Sequence, residues 1–236
     1  MGTKFSTRIW VSVVGIASIF LGSKGYADTV ISVADFGLKP DTRENAVAYV
    51  QKAIEACRGK EPVTLVFPEG RYDFWPQYAH EKNYYETNTY DVFPKRLAML
   101  FEGLHNITVD GNGSQFVMHD RIQPITVENC DGVTLKNFSI DWDIPLTAQA
   151  RVTKVGNDFF EIEINVLESP YIIEDGKLVF VGEGWKSALG SMIEFESDTH
   201  FVVPGTGDLV LGRNWRDYTA VSPRYGIVRL SRKGGF

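Results

Sequence analysis

The run Asn137-Phe138-Ser139-Ile140-Asp141-Trp142-Asp143-Ile144-Pro145 sets two carboxylates two residues apart in a strand-like stretch. In extended backbone alternate side chains share a face. Phe138, Ile140 and Trp142 are therefore expected to point one way, and Ser139, Asp141 and Asp143 the other. The two aspartate Cα atoms would then lie about 6.5–7 Å apart. Like charges that close raise one pKa, and glycosidases use such a pair as acid and base. A solvated strand face, or a turn before Pro145, would need the same residues. Asp141 and Asp143 are thus weak candidates for catalysis and better ones for touching a substrate, with Trp142 between them. Two other stretches bear on the same chemistry. His119-Asp120-Arg121 precedes the run by about one repeat, and stacking could set it beside Asp141–Asp143; the alternative is an Asp–Arg pair closing a turn. Tyr72–Arg96 is rich in aromatics (among them Trp75, Tyr84 and Tyr85) interleaved with amides and charges such as Gln77, Glu86 and Asn88. Flat aromatic faces with polar neighbours suit a sugar, which makes Trp75, Tyr85 and Glu86 binding candidates, although ordinary packing would use the same aromatics.

The elements that position these groups show in a repeat. LAMLFEGLHNITVDGNG (97–113) aligns with QPITVENCDGVTLKNFS (123–139) at an offset of 26. Leu100 then matches Thr126, Phe101 Val127, Glu102 Glu128, Ile107 Val133 and Val109 Leu135. Each copy is a short run of period 2, a polar corner and a second short run. A repeat of that length built from strands implies stacked coils, since one coil cannot bury its own apolar face. The spacing predicts an all-β fold, a parallel β-helix. Two copies fall short of the about three coils that a solenoid needs, so the chain is expected to be truncated, the front piece of a longer protein.

Before the repeat, Val30–Val33 reads as a strand, Asp35-Phe36-Gly37 as a turn and Val63–Phe67 as a buried strand. Between them a helix is expected from Thr42, as cap, to Cys57, with Ala46, Val47, Val50, Ile54 and Cys57 on one face. This segment would cap the open end of the coils. After Ala150 the pattern changes to an antiparallel hairpin about Gly156-Asn157-Asp158. Short strands follow at Lys177–Val181, Met192–Phe195, His200–Val203, Asp208–Leu211 and Gly226–Leu230. The expected organisation is a signal peptide over 1–27, cap and first coils over 28–149, and an inserted, incomplete small β-barrel over 150–236.

The leader expectation rests on Lys4 and Arg8, the apolar run Ile9–Leu21 and the small-residue site ending at Ala27. That run is too short to span a membrane. It places the protein outside the cell or in a periplasm, with no membrane span in the mature chain. Cleavage after Ala27 leaves 21 basic against 30 acidic residues, a formal charge of −9, which disfavours nucleic acid as a partner. The chain has no CxxC or HExxH, and its four histidines lack metal-ligand spacing. No metal or cofactor is expected. Cys57 and Cys130 are read as two buried thiols, though an oxidising compartment would let them pair.

The capping segment, with Asp35-Phe36-Gly37 and Val66–Tyr72, resembles that of pectin-lyase-like β-helix enzymes. The polygalacturonase pattern of an Asn-Thr-Asp run and a paired Asp-Asp is absent. A narrower resemblance rests on Tyr72-Asp73-Phe74-Trp75-Pro76, Tyr84–Thr89, Pro94–Leu97, Asp110–Ser114, His119-Asp120-Arg121 and, above all, Ile140–Ala150 (IDWDIPLTAQA). These runs resemble the N-terminal half of glycoside hydrolase family 110, over about residues 30–236. The resemblance implies a secreted exo-α-1,3-galactosidase of blood-group B or linear glycans with terminal α-galactose. It implies inversion without metal or cofactor, and a right-handed parallel β-helix carrying β-barrel insertions. It also implies that the key aspartates sit on later coils beyond Phe236. Asp141, Asp143, Trp142 and the Tyr72–Arg96 segment then remain as sugar-binding candidates, and this chain alone would be inactive. A different β-helix polysaccharide-degrading enzyme and a non-catalytic glycan-binding β-helix are the alternatives.

Overall fold

The computed structural model describes residues 29–84, 94–190, 192–204 and 218–232. The expected signal peptide, Tyr85, Glu86 and the strand expected at Asp208–Leu211 lie outside the described residues.

The first unit opens with strand β1 (Thr29–Ser32) and a 3-10 turn over Val33–Phe36. Ser32 and Asp35 cap that turn reciprocally. The helix α1 spans Val47–Cys57 and begins five residues later than its expected start at Thr42. Asp41 and Arg43 take left-handed backbone angles, φ 61° and 62°, which no helix can include. Thr42 closes a short turn onto the Glu44 N–H instead. The Asn45 side-chain oxygen accepts from the Val47 N–H at the true start. Val47, Val50, Ala53, Ile54 and Cys57 form the buried face of α1.

Strands β2 (Val63–Val66), β3 (Arg71–Phe74), β4 (His80–Lys82), β5 (Lys95–Glu102), β6 (His105–Met118), β7 (Gln123–Glu128) and β8 (Asp131–Trp142) complete the unit. Their pairing is almost wholly parallel. β1, β2, β6 and β8 lie side by side, β3 joins the C-terminal half of β6, and β5 pairs with β7. The partners are those of the 26-residue offset: Ile107 with Val133, Val109 with Leu135, Phe101 with Val127. Past the corner the offset drops to 24, with Ser114 opposite Phe138 and Met118 opposite Trp142. The Gly111-Asn112-Gly113 corner carries two more residues than its counterpart at Asn137, so the register shifts between Asp110 and Ser114. Only glycine fits at 111, where a Cβ would lie 2.5 Å from Phe138 Cβ and 2.7 Å from the Asn137 carbonyl. The Tyr72–Arg96 segment is not one loop. Tyr72 and Phe74 are buried in β3, and β4 pairs back on β5.

The core of this unit is an aromatic stack. Phe116 lies 4.7 Å from Phe67, 5.6 Å from Phe74 and 4.8 Å from Phe138, centroid to centroid. Trp142 packs against the same core, whereas Ile140, expected beside it, is 38% exposed. Cys57 is buried and Cys130 only partly so, and both are free thiols.

The second unit is antiparallel. β9 (Ala150–Val155), β10 (Phe159–Ile164), β14 (Thr219–Arg224) and β15 (Ile227–Ser231) form one sheet in the order β14-β15-β10-β9. β11 (Tyr171–Glu174), β12 (Lys177–Gly182) and β13 (Trp185–Ala188) form another. Ile162, Ile164, Leu178, Tyr218, Val228 and Leu230 give it a core of its own. The strands expected at Met192–Phe195 and His200–Val203 reduce to one bridge, Phe195 with Val202. Phe195 and Phe201 are both exposed there, and without a face to bury, alternation does not hold a ladder together.

Candidate functional site: a buried charge network between the two units

The edge where β3, β6 and β8 end carries the candidate residues, and the register decides which of them meet. β8 follows β6 so that the Asp143 N–H donates to the Met118 carbonyl, which sets His119 beside Asp143. β3 follows β6 on its other side, and the His119 N–H donates to the Phe74 carbonyl. Asp73, His119 and Asp143 thus come from three successive passes of the chain.

Asp73 is 1% exposed. Its Oδ1 accepts from Arg71 Nη2 at 2.5 Å and lies 2.8 Å from His119 Nε2. Arg71 Nε lies 3.0 Å from both carboxylate oxygens. Burial pushes this carboxyl up, but the hydrogen bonds from Arg71 and His119 outweigh it and hold the group below the usual carboxylate range. Arg71 Nη2 also reaches Asp143 Oδ1 at 2.7 Å, and Arg43 Nη1 reaches the same oxygen at 3.4 Å. The hydrogen bond to Asp73, and after it that to Asp143, raises the Arg71 guanidinium above its ordinary value. Asp143 is lowered, chiefly by Arg71. The upward push expected from an Asp141–Asp143 pair is therefore not found at Asp143. A guanidinium, not a second carboxylate, is its near neighbour. Asp141 instead accepts from the Trp142 N–H and takes no part in the network.

His119 is 2% exposed and bonded at both ring nitrogens, Nε2 to Asp73 and Nδ1 to Glu183 at 2.8 Å. The half-buried Trp75 stacks on its ring at 3.6 Å and 6°. His119-Asp120-Arg121 is not closed by an Asp–Arg side-chain pair. The Asp120 carboxylate accepts from the Arg121 backbone N–H, and the Arg121 guanidinium lies over the Trp185 ring. Trp142 Nε1 donates to the Asp120 carbonyl.

The ligand-type atoms of Asp73, His119 and Asp143 lie within 4.8 Å of one another, as in a metal site. The Arg71 guanidinium already lies against both carboxylates, with Arg43 beside it, and neutralises them. The network is thus an ion-pair cluster whose exposed end is Asp143, 36% open in its side chain, with Arg43. Asp143 Oδ1 takes both arginines, and among the described residues its Oδ2 accepts nothing. A fixed, ionised carboxylate with one open oxygen beside a guanidinium can accept from one hydroxyl while the arginine donates to the next. It cannot supply a proton at neutral pH.

Sequence reasoning did not single out Arg43, Arg71, Asp73 or Glu183 as site residues. An aspartate between Tyr72 and Phe74 in an apolar strand is a legible signal, since carboxylates are almost never fully buried unless paired. Glu183 leaves none, being 64 residues from its partner.

Residues 148–235 match the GLAA-B beta-barrel domain I family. Over 205 residues, 87% of this chain, the sequence is 57% identical to alpha-1,3-galactosidase B of Bacteroides thetaiotaomicron. It is 36% identical over 169 residues, 71% of the chain, to alpha-1,3-galactosidase A of Shewanella woodyi. It is 34% identical over 223 residues, 92% of the chain, to alpha-1,3-galactosidase B of Parabacteroides distasonis. The matches cover 33%, 28% and 36% of those proteins, so the chain spans about a third of their length. The resemblance to glycoside hydrolase family 110 stands: this chain is homologous to the alpha-1,3-galactosidases along most of its length.

Proposed function

We propose that this chain is the front part of a secreted or periplasmic exo-α-1,3-galactosidase, which removes terminal α-1,3-linked galactose from blood-group B or linear glycans with inversion. The 57% identity to an alpha-1,3-galactosidase B carries the reading. The parallel ladders at 26- and 24-residue offsets support residues 28–149 as the cap and first coils of a right-handed parallel β-helix. The antiparallel sheets support 150–236 as an inserted barrel module. The basic start and apolar run before Ala27 support a cleaved leader.

In this reading Asp143, Arg43, Trp142 and Trp75 form a glycan-contacting face, and Asp143 acts as a hydroxyl acceptor. Its lowered pKa removes it as the general acid. Inversion needs an acid and a base about 6.5–9.5 Å apart with a water between them, and the resemblance sets those groups on later coils. The 236-residue chain alone is then expected to release no galactose.

The test is to incubate the protein, extended to its relatives' length, with the methyl glycoside of α-1,3-galactobiose and with polygalacturonate, following the products by proton NMR. β-Galactose should appear first from the disaccharide and nothing from the uronate. α-Galactose appearing first would overturn inversion; uronate cleavage without galactose release would overturn the activity.

A further inference from the structure

Two tripeptides far apart in sequence meet residue for residue at the seam between the units. Glu183 bonds His119 through both carboxylate oxygens, at 2.8 and 3.0 Å. Gly184 lies over the Asp120 carboxylate, so closely that a Cβ there would sit 2.6 Å from Asp120 Oδ2. Trp185 lies under the Arg121 guanidinium, 5.7 Å from ring centroid to Cζ. Glu183-Gly184 is the turn between β12 and β13 of the second unit. His119-Asp120-Arg121 is the turn between β6 and β7 of the first. The stretch 146–150 that connects the units by chain is exposed, so it contributes little to holding them together.

We infer that Glu183 is a positioning residue that docks the second unit on the first by closing the buried Asp73–His119 pair. Asp73, Arg71, Asp143 and Arg43 face His119 from the first unit, and among the described residues of the second unit Glu183 is the charged group that faces it. When the ring carries both protons it stands as a cation between two anions. When it carries one, one carboxylate faces a bare nitrogen lone pair. With both ring nitrogens protonated, Glu183 accepts from a buried donor that water cannot replace without opening the seam, and a group of that kind fixes relative orientation. Gly184 makes the close approach possible. Its φ of +75° strains any side chain there, and a Cβ would push the Asp120 carboxylate aside. The inference concerns how the units are held and does not depend on the galactosidase reading.

The test is proton exchange at the Trp185 indole in the isotope-labelled chain, since its Nε1 is buried at the seam. Glu183→Ala should speed that exchange about tenfold or more, through loss of a charge-assisted hydrogen bond. Glu183→Gln, which keeps an acceptor and loses the charge, should fall between it and the unmodified chain. Gly184→Ala should resemble Glu183→Ala. Backbone amides of the β6–β8 and β10–β15 ladders should keep their rates. Glu174→Ala breaks an exposed pair with Lys186 in the same sheet and should change nothing. Unchanged Trp185 exchange in Glu183→Ala would overturn the inference. So would an equal rise over both ladders in Glu183→Gln, which would make Glu183 part of one global fold, or an equal effect of Glu174→Ala.

Discussion

Arg71→Met separates the buried ion pair from the packing around it. Methionine keeps much of the arginine stem's apolar contact and removes the guanidinium. Arg71 supplies three of the close contacts to the Asp73 carboxylate, at 2.5, 3.0 and 3.0 Å, and Asp73 is 1% exposed. Removing one partner of a buried pair costs about 3–5 kcal/mol. His119 still donates to Asp73, which points to the lower end, about 3 kcal/mol. Asp143 loses a partner too, but at 36% exposure that is worth about 1 kcal/mol or less. The cost depends on pH with a definite sign. In the unmodified protein Asp73 and Asp143 are lowered, so their stabilisation is present above about pH 4 and lost as pH falls further. Without Arg71, burial acts on Asp73 with only His119 against it. Protonation then relieves the variant as pH approaches 4. Urea unfolding of both proteins at pH 7 and pH 4 measures the gap. It should be about 3 kcal/mol at pH 7, with a melting temperature lower by about 6–12 °C, and should narrow to about 1 kcal/mol at pH 4. A gap under 1 kcal/mol at pH 7, or one unchanged at pH 4, would refute the account of Asp73 as a buried, ionised, arginine-held carboxylate.

Three further outcomes follow from the packing. Phe116→Ala removes the ring on which Phe67, Phe74 and Phe138 converge and should lower unfolding free energy by about 3–5 kcal/mol in denaturant titration. Gly111→Ala forces a Cβ against Phe138 and the Asn137 carbonyl and should cost about 1–3 kcal/mol; loss of the β6–β8 cross-peaks between Asp110 and Ser114 in nuclear Overhauser spectra would show where. Burial pushes the Cys57 thiol up to about 11, leaving about one thiolate in a thousand at pH 8. Iodoacetamide at that pH should label Cys130 first and reach Cys57 only on unfolding, as read by peptide mass; prompt labelling of Cys57 in the folded chain would contradict its burial.

Much of the scaffold was legible because it obeys local rules. A 26-residue offset of apolar residues states which strand lies beside which, and β5–β7 and the first halves of β6 and β8 pair at that offset. The 3.6-residue spacing of Val47, Val50, Ile54 and Cys57 marks a helix face whatever covers it. The start of that helix was not legible, because left-handed Asp41 and Arg43 are set by what they pack on: Asp41 caps the Arg71 backbone N–H, and Arg43 reaches Asp143. The site divides in the same way. His119 and the Asp141–Asp143 run stand out by residue type and spacing, and the repeat brings His119 near that run. Which aspartate joins the network depends on a two-residue difference at the Gly111 corner, which shortens the offset to 24 and carries Asp143 to His119. Whether a carboxylate is raised or lowered depends on the charge that faces it in space. Arg71 does so for Asp143 from 72 residues away, and Glu183 closes on His119 from 64. Periodicity along a chain records which face of an element is apolar; it holds no record of which distant side chain comes to rest against a buried charge.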